Sequence, residues 1–116
     1  MSNILYNSAY DLKKALEQSK EYIQLKKLYD DVQHDESAKN IFHNFRSTQL
    51  NLHEKQVTGK EITEEEIIHA EKCVQLVQQN GKIAALLKAE ESMNMLLQRI
   101  TSIILEPLDE LYKKSE

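Results

Sequence analysis

The sequence predicts an all-α protein, an antiparallel helical hairpin or bundle of about four to five helices in one domain over residues 1–116, and three observations predict it. Glycine and proline together number three in 116 residues, where average usage would supply about a dozen. Strands and tight turns draw on those residues, so their scarcity argues against a sheet. Apolar residues recur at three- and four-residue steps along most of the chain, the period of a helix with one face in a core. Charged residues make up 29% and tryptophan is absent, a composition that suits solvated helix faces around a modest core.

The first helix is expected from about Ile4 to Gln18, with Leu5, Ala9, Leu12 and Leu16 on one face and Asn3 as a cap. Ser19 then fits the N-cap of a second helix, with Glu21 in its first turn and Tyr22, Leu25, Tyr29 and Val32 as its stripe. One bent helix through this joint is the alternative. Asp35 or Ser37 starts the third helix, which runs to about Val57 with an apolar, aromatic face of Ala38, Ile41, Phe42, Phe45 and Leu52, continued by Gln56.

The stretch QVTGKEITEEE at 56–66 ends that helix and begins the next. Gly59 suits the left-handed position past a helix C-terminus, because it has no Cβ to clash. Thr63 followed by Glu66 reads as a capping box, with Ile62 and Ile67 placed as a hydrophobic staple. A connection this short makes antiparallel neighbours of the two helices. The fourth helix carries Ile67, Ala70, Val74 and Val77, then meets QQNGK, where Asn80 caps a new helix or a continuous helix passes through Gly81 at about 1 kcal/mol relative to alanine. The fifth, 82 to about 105, is the most apolar, and Pro107 stops or kinks it or opens a short terminal helix, LDELYKK.

Charge and chemistry exclude several classes of function. The formal charge is −4 with a pI near 5.6, a poor match for phosphate backbones. The longest apolar run, IAALL at 83–87, is far short of a membrane span, and MSNILYNSAYDL lacks the features of a signal peptide. Cys73 is the one cysteine and forms no internal disulfide. A cytoplasmic protein with no membrane association is the natural reading.

Glu66-Ile67-Ile68-His69 and Asp31-Val32-Gln33-His34 resemble half-sites of carboxylate-bridged metal bundles. Glu66 is better used as a cap, however, and His34 falls at a helix end. His43 and His53 are ten residues apart, about 80° around a helix, and cannot chelate as an i, i+4 pair. Cys73 reads as a small apolar side chain with no base to activate it. The sequence therefore points to no catalytic residue, no metal and no cofactor. Lys13, Lys14, Lys20, Lys26 and Lys27, interleaved with Tyr22 and Tyr29, offer an RNA-binding alternative, diluted by Asp11, Glu17 and Glu21. A metal-dependent enzyme is the remote one.

Two features point to partners. Glu90 stands on the apolar seam of the fifth helix, seven residues from Ile83 and from Leu97. Buried carboxylates are costly unless paired, and Arg46, at a matching height on the third helix, is the expected partner, within a chain or across a dimer; the alternative is that Glu90 faces water at the edge of the stripe. The fifth helix also carries three adjacent apolar columns, so that Leu96, Leu97, Ile100, Ile103 and Ile104 form a candidate homodimer interface. The alternative is that Leu12, Leu16, Leu25 and Leu28 of the first two helices cover this face within one chain.

The octapeptide FHNFRSTQ at 42–49, Gln56-x-x-Gly59, Ala89-Glu90 with Met93, and Ile103-Ile104-x-x-Pro107-Leu108-x-Glu110-Leu111-Tyr112 together resemble the YlbF/YmcA-like helical proteins, in particular their YheA-type branch. The match lies in order and spacing and covers nearly the whole chain. The resemblance implies an all-α, often self-associating bundle without enzymatic activity. It further implies a regulatory subunit in a complex with an as yet unidentified protein partner. Some relatives carry cysteines linked to an iron–sulfur cluster; with Cys73 alone, the resemblance does not extend the cluster to this chain.

If Arg46 and Glu90 pair, Arg46→Met or Glu90→Gln alone destabilises more than both together, because the survivor stays desolvated. A double-mutant cycle on urea unfolding reads this out, and additive effects reject the pair.

Overall fold

A computed structural model describes residues 2–114, with side-chain surroundings from residue 3. Five helices follow one another: α1 (Ser2–Glu17), α2 (Lys20–Gln33), α3 (Glu36–Thr58), α4 (Glu64–Gln79) and α5 (Gly81–Lys114). Among the described residues there is no strand, and no helix is long and apolar enough to cross a membrane. The chain forms two units. One holds residues 1–25 with 88–116, the other residues 26–87.

Side-chain chemistry sets most of the boundaries. α1 begins by Ser2, so Asn3 lies inside the helix and not at its cap. Gln18 and Ser19 separate α1 from α2, which makes them two helices. The Ser19 hydroxyl donates to the Leu16 carbonyl at 2.6 Å and accepts from the Tyr22 N–H at 3.2 Å, closing one helix and capping the next. Asp35 is the N-cap of α3, its carboxylate accepting from the Ala38 N–H at 3.1 Å. Lys82, on the first turn of α5, reaches the same carboxylate at 2.9 Å. That bond, followed by the Ala38 amide, holds the Asp35 carboxyl below the usual range.

Thr58 and Glu64 bound the bend expected at 56–66. Gly59 adopts φ 74°, ψ 13°, the left-handed conformation glycine takes without steric cost. The Gly59 and Lys60 N–H groups both donate to the Lys55 carbonyl, satisfying the helix end. Thr63 and Glu66 form the reciprocal capping box. The second bend is equally definite. Asn80 lies outside helical geometry at φ −103°, ψ 109°, and its side chain accepts from the Ile83 N–H at 3.1 Å. The helix therefore breaks before Gly81.

The core of the 26–87 unit draws on every helix in it. Val32, Ala38, Ile83 and Leu86 are fully buried, and Phe42, Phe45, Cys73 and Val77 nearly so. α3 and α4 pack along each other in antiparallel sense, since Lys55 meets Glu66 and Thr48 meets Cys73.

Two expectations need correction. The inward face of α4 is Cys73 and Val77, with Glu66 and Ala70 half-buried, whereas Ile67 and Val74 are exposed. The true seam is thus rotated by one residue from the Ile67–Val74 column. And α5 does not end near 105: it runs through Pro107 to Lys114. The apolar stripe of Leu97, Ile100, Ile104, Leu108 and Leu111 keeps helical spacing across the proline, so the segment beyond it has the same reason to be helical.

Removing the Thr63 hydroxyl leaves an amide of the first turn of α4 without its cap. Thr63→Ala is expected to lower unfolding stability by about 1 kcal/mol, measured by urea denaturation; an unchanged midpoint would contradict the role given to the box.

Candidate interaction surfaces

The 26–87 unit contains the densest polar cluster, built on Glu66. Its carboxylate accepts from Lys55 Nζ, from Asn51 Nδ2 at 3.0 Å, and from the Thr63 N–H and hydroxyl at 3.2 and 3.1 Å. The Lys55 bond first, then the Thr63 amide, hold the Glu66 carboxyl at about 2. Three of these donors converge on Oε1 and Asn51 alone reaches Oε2, so the carboxylate is engaged in capping α4 and joining it to α3. His69 lies one turn on, its Nε2 3.7 Å from Cys73 Sγ, which is also 3.7 Å from Thr48 Oγ1. Cys73 is buried, more deeply than its sequence context indicates. His34 turns its Nδ1 to the Asp30 carbonyl at 2.7 Å, while His43 and His53 are exposed. Among the described residues no three His, Cys, Asp or Glu side chains are grouped to hold a metal ion.

On the same hairpin an apolar groove of about 500 Å³ runs between Leu52, Ile62, Ile67, Ala70 and Val74. Both residues of the proposed staple, Ile62 and Ile67, line it. Arg46 is half-buried on α3, its guanidinium 4.9 Å from the centre of the Phe42 ring and donating to Gln49 Oε1 at 3.4 Å.

The unit made of 1–25 and 88–116 has a different character. Every residue of α1 from Asn3 to Ala15 is exposed, with Ile4 and Leu5 at 75%. On α5, Ala89 and Met93 are buried and Glu90 is half-buried. Of the candidate interface residues, Leu96 and Ile100 are half-buried, Leu97 is exposed, and Ile103 and Ile104 stand 62% exposed. The exposed apolar side chains then continue through Leu105, Leu108, Leu111 and Tyr112. Sequence reasoning left these last four out because it ended the fifth helix near 105 and left a stop, a kink or a new helix open at Pro107. A groove of about 780 Å³ crosses this face, between Glu21 on α2 and Met95, Leu96, Arg99 and Ile103 on α5. Of the residues offered as an alternative cover, Leu12 is exposed, and Leu16, Leu25 and Leu28 are half-buried.

Lys13, Lys14, Lys20, Lys26 and Lys27 are all exposed. Tyr29 is exposed too, not core-facing as its place on the stripe indicated, while Tyr22 is half-buried. Asp11 and Glu17 stand exposed among the lysines, so the basic side chains form no single-sign strip.

Residues 5–109 match the family model described as control of competence regulator ComK, YlbF/YmcA. The chain is 52% identical to the UPF0342 protein YheA of Bacillus subtilis over 96% of its own length and 95% of that protein's. A Bacillus stearothermophilus protein of unknown function has a solved structure that superimposes with a TM-score of 0.83 at 41% identity, covering 93% of this chain and 95% of the other. Bacillus subtilis RicA, solved in complex with RicF, superimposes at 0.70 with 22% identity over 97% and 99% of the two chains, and shares the fold.

The Glu66 cluster gives a pH dependence with a definite sign. Because its carboxyl titrates at about 2 when folded and near its ordinary value of 4.5 when unfolded, its contribution is complete above about pH 5. It declines as acid protonates the unfolded chain and is gone below about pH 2. The urea-midpoint difference between wild type and Glu66→Gln should therefore be largest near neutral pH and shrink through this window. A difference that stays constant from pH 6 to pH 2.5 contradicts the assignment.

Proposed function

This chain belongs to the YlbF/YmcA family, and from that premise we propose that it is a non-enzymatic regulatory subunit of the bacterial cytoplasm that works as a homodimer and docks a further protein. The observation that carries the reading is the uncovered apolar face of α5, from Leu97 to Leu111. Exposed apolar surface of this continuity marks an interaction site, and Leu96, Leu97, Ile100, Ile103 and Ile104 form its centre. A symmetric pairing of this face with its copy closes without leaving a further edge.

Other features support the same reading. The polar clusters of the fold are used to cap and join helices, and the Glu66 carboxylate accepts from donors on both α3 and the start of α4. The groove on the α3–α4 hairpin is a second apolar surface, on a different unit from the α5 face. One surface for self-association and one for another protein is what a subunit of a regulatory complex requires. The RicA–RicF assembly provides the precedent of a protein of this fold bound to a protein partner.

Sedimentation equilibrium at micromolar concentration is the test. A mass of twice 13.5 kDa is expected, and a clean monomer ends the dimer proposal. Leu97→Glu or Ile100→Glu is expected to dissociate or unfold the dimer, whereas Lys113→Glu, at the far end of α5, does neither.

A further inference from the structure

The α5 face leaves a question that dimerisation alone does not answer: what covers α1. A 16-residue helix barely exceeds the length below which isolated helices are marginal even when rich in alanine, and α1 is not rich in alanine. Its sequence, SNILYNSAYDLKKALE, includes two asparagines, two serines and two tyrosines, none of them a strong helix former. Yet Asn3 to Ala15 are all exposed within the chain. Leu5, Ala9, Leu12 and Leu16 fall within about 60° of one another around the helix, forming a narrow stripe that is apolar and largely uncovered. Only packing against something outside the chain holds such a helix.

α5 poses the matching question. Its apolar face spans three columns, wider than one helix-to-helix seam fills. Leu97, Ile100, Ile104, Leu108 and Leu111 form the central line, with Leu96 and Ile103 beside it. Glu106 and Asp109 occupy the side opposite that central line, while Arg99 and Glu110 border the Leu96–Ile103 flank. A copy of α5 covers one flank of this face and leaves the other open. The α1 stripe is one flank wide.

The area points to the same occupant. The chain exposes 9632 Å², where a folded monomer of 13.5 kDa exposes about 6,500 Å². The surplus of about 3,000 Å² per chain, summed over two chains, reaches the size of an obligate dimer interface.

We propose that α1 of one copy packs onto the exposed apolar face of its partner's α5, beside the α5–α5 contact, so that the two α1 and two α5 helices form an exchanged four-helix bundle. The exchange rests on the dimer reading above and gives it a specific content. Each chain donates one narrow stripe and accepts one, as two-fold symmetry demands. Helix packing of this kind is that of soluble four-helix bundles.

The test uses the full chain and two readouts. Leu12→Glu is expected to raise the dimer dissociation constant about a hundredfold in sedimentation, and Leu12→Ala, a milder change on the same stripe, about tenfold. In a Cys73→Ala background, Leu12→Cys and Ile104→Cys introduced together and treated with a short bis-maleimide are expected to link heavy-isotope chains to light ones when the two are mixed and re-equilibrated. If Ile104→Glu dissociates the dimer while both Leu12 variants leave it intact, or if the link joins residues of a single chain, the exchange is overturned and the dimer stands. A wild-type monomer overturns both.

Discussion

The carboxylate of Glu66 fixes more of this protein than any other single group. It closes the first turn of α4 by accepting from the Thr63 backbone and hydroxyl, and it takes Asn51 and Lys55 from the last turns of α3. A side chain held from both helices sets their rotation as well as their spacing. With Glu66 turned toward α3, the residues that share its face at helical spacing are Ala70, Cys73 and Val77. These are the half-buried and buried positions of α4. Thr48 meeting Cys73 at 3.7 Å two turns further along is the same register seen from the other helix. The rotated seam of α4 therefore follows from a surface polar interaction, not from hydrophobicity, which favoured the Ile67–Val74 column.

The two units solve the same problem differently. Residues 26–87 bury Val32, Ala38, Phe42, Phe45, Cys73, Val77, Ile83 and Leu86, a core drawn from four helices and closed at its bends by Asp35, Gly59, Thr63 and Asn80. Helices there are held by tertiary packing. In the unit of 1–25 and 88–116, long amphipathic helices leave their apolar faces open: Ile4, Leu5, Ile103, Ile104 and Leu111 are each more than 60% exposed. Apolar area left in water contributes none of the roughly 25 cal/mol per Å² that burial supplies. The first unit closes its core within the chain, and the second leaves its apolar faces open.

Much of this was legible in the sequence, and the legible part shares a cause. Caps are local: Ser19, Asp35, Gly59, Thr63 with Glu66, and Asn80 act on amides or carbonyls within a few residues, so residue type and spacing suffice to place them. The all-α class and the hairpin followed from the same signals. What was not legible depends on geometry that no window of sequence contains. Tyr29 lies on the periodic stripe of α2 yet is exposed, because periodicity locates a face without saying what stands opposite it. The α4 seam depended on Glu66 facing α3. For the candidate surface, the sequence named Leu96, Leu97, Ile100, Ile103 and Ile104 and left out Leu105, Leu108, Leu111 and Tyr112, because it ended the fifth helix near 105 and left the path at Pro107 open.

Pro107 shows how far local rules reach. A proline in a helix interior costs about 3 kcal/mol, through the lost hydrogen bond and the clash with the preceding turn. Local propensity alone would therefore end the helix there, and the polar terminal residues could not offset that cost. Two leucines could. Leu108 and Leu111 continue the stripe of Leu97, Ile100 and Ile104, and full burial of each contributes about 1.5–3 kcal/mol. That gain is absent while both stand open to water, at 48% and 62% exposure, and it arises when a second helix covers them. The helical path through Pro107 thus makes energetic sense in an assembly and little in a lone chain. Ala89 and Met93, toward the start of α5, are buried within the chain, whereas every described residue beyond 100, on both sides of the proline, is exposed.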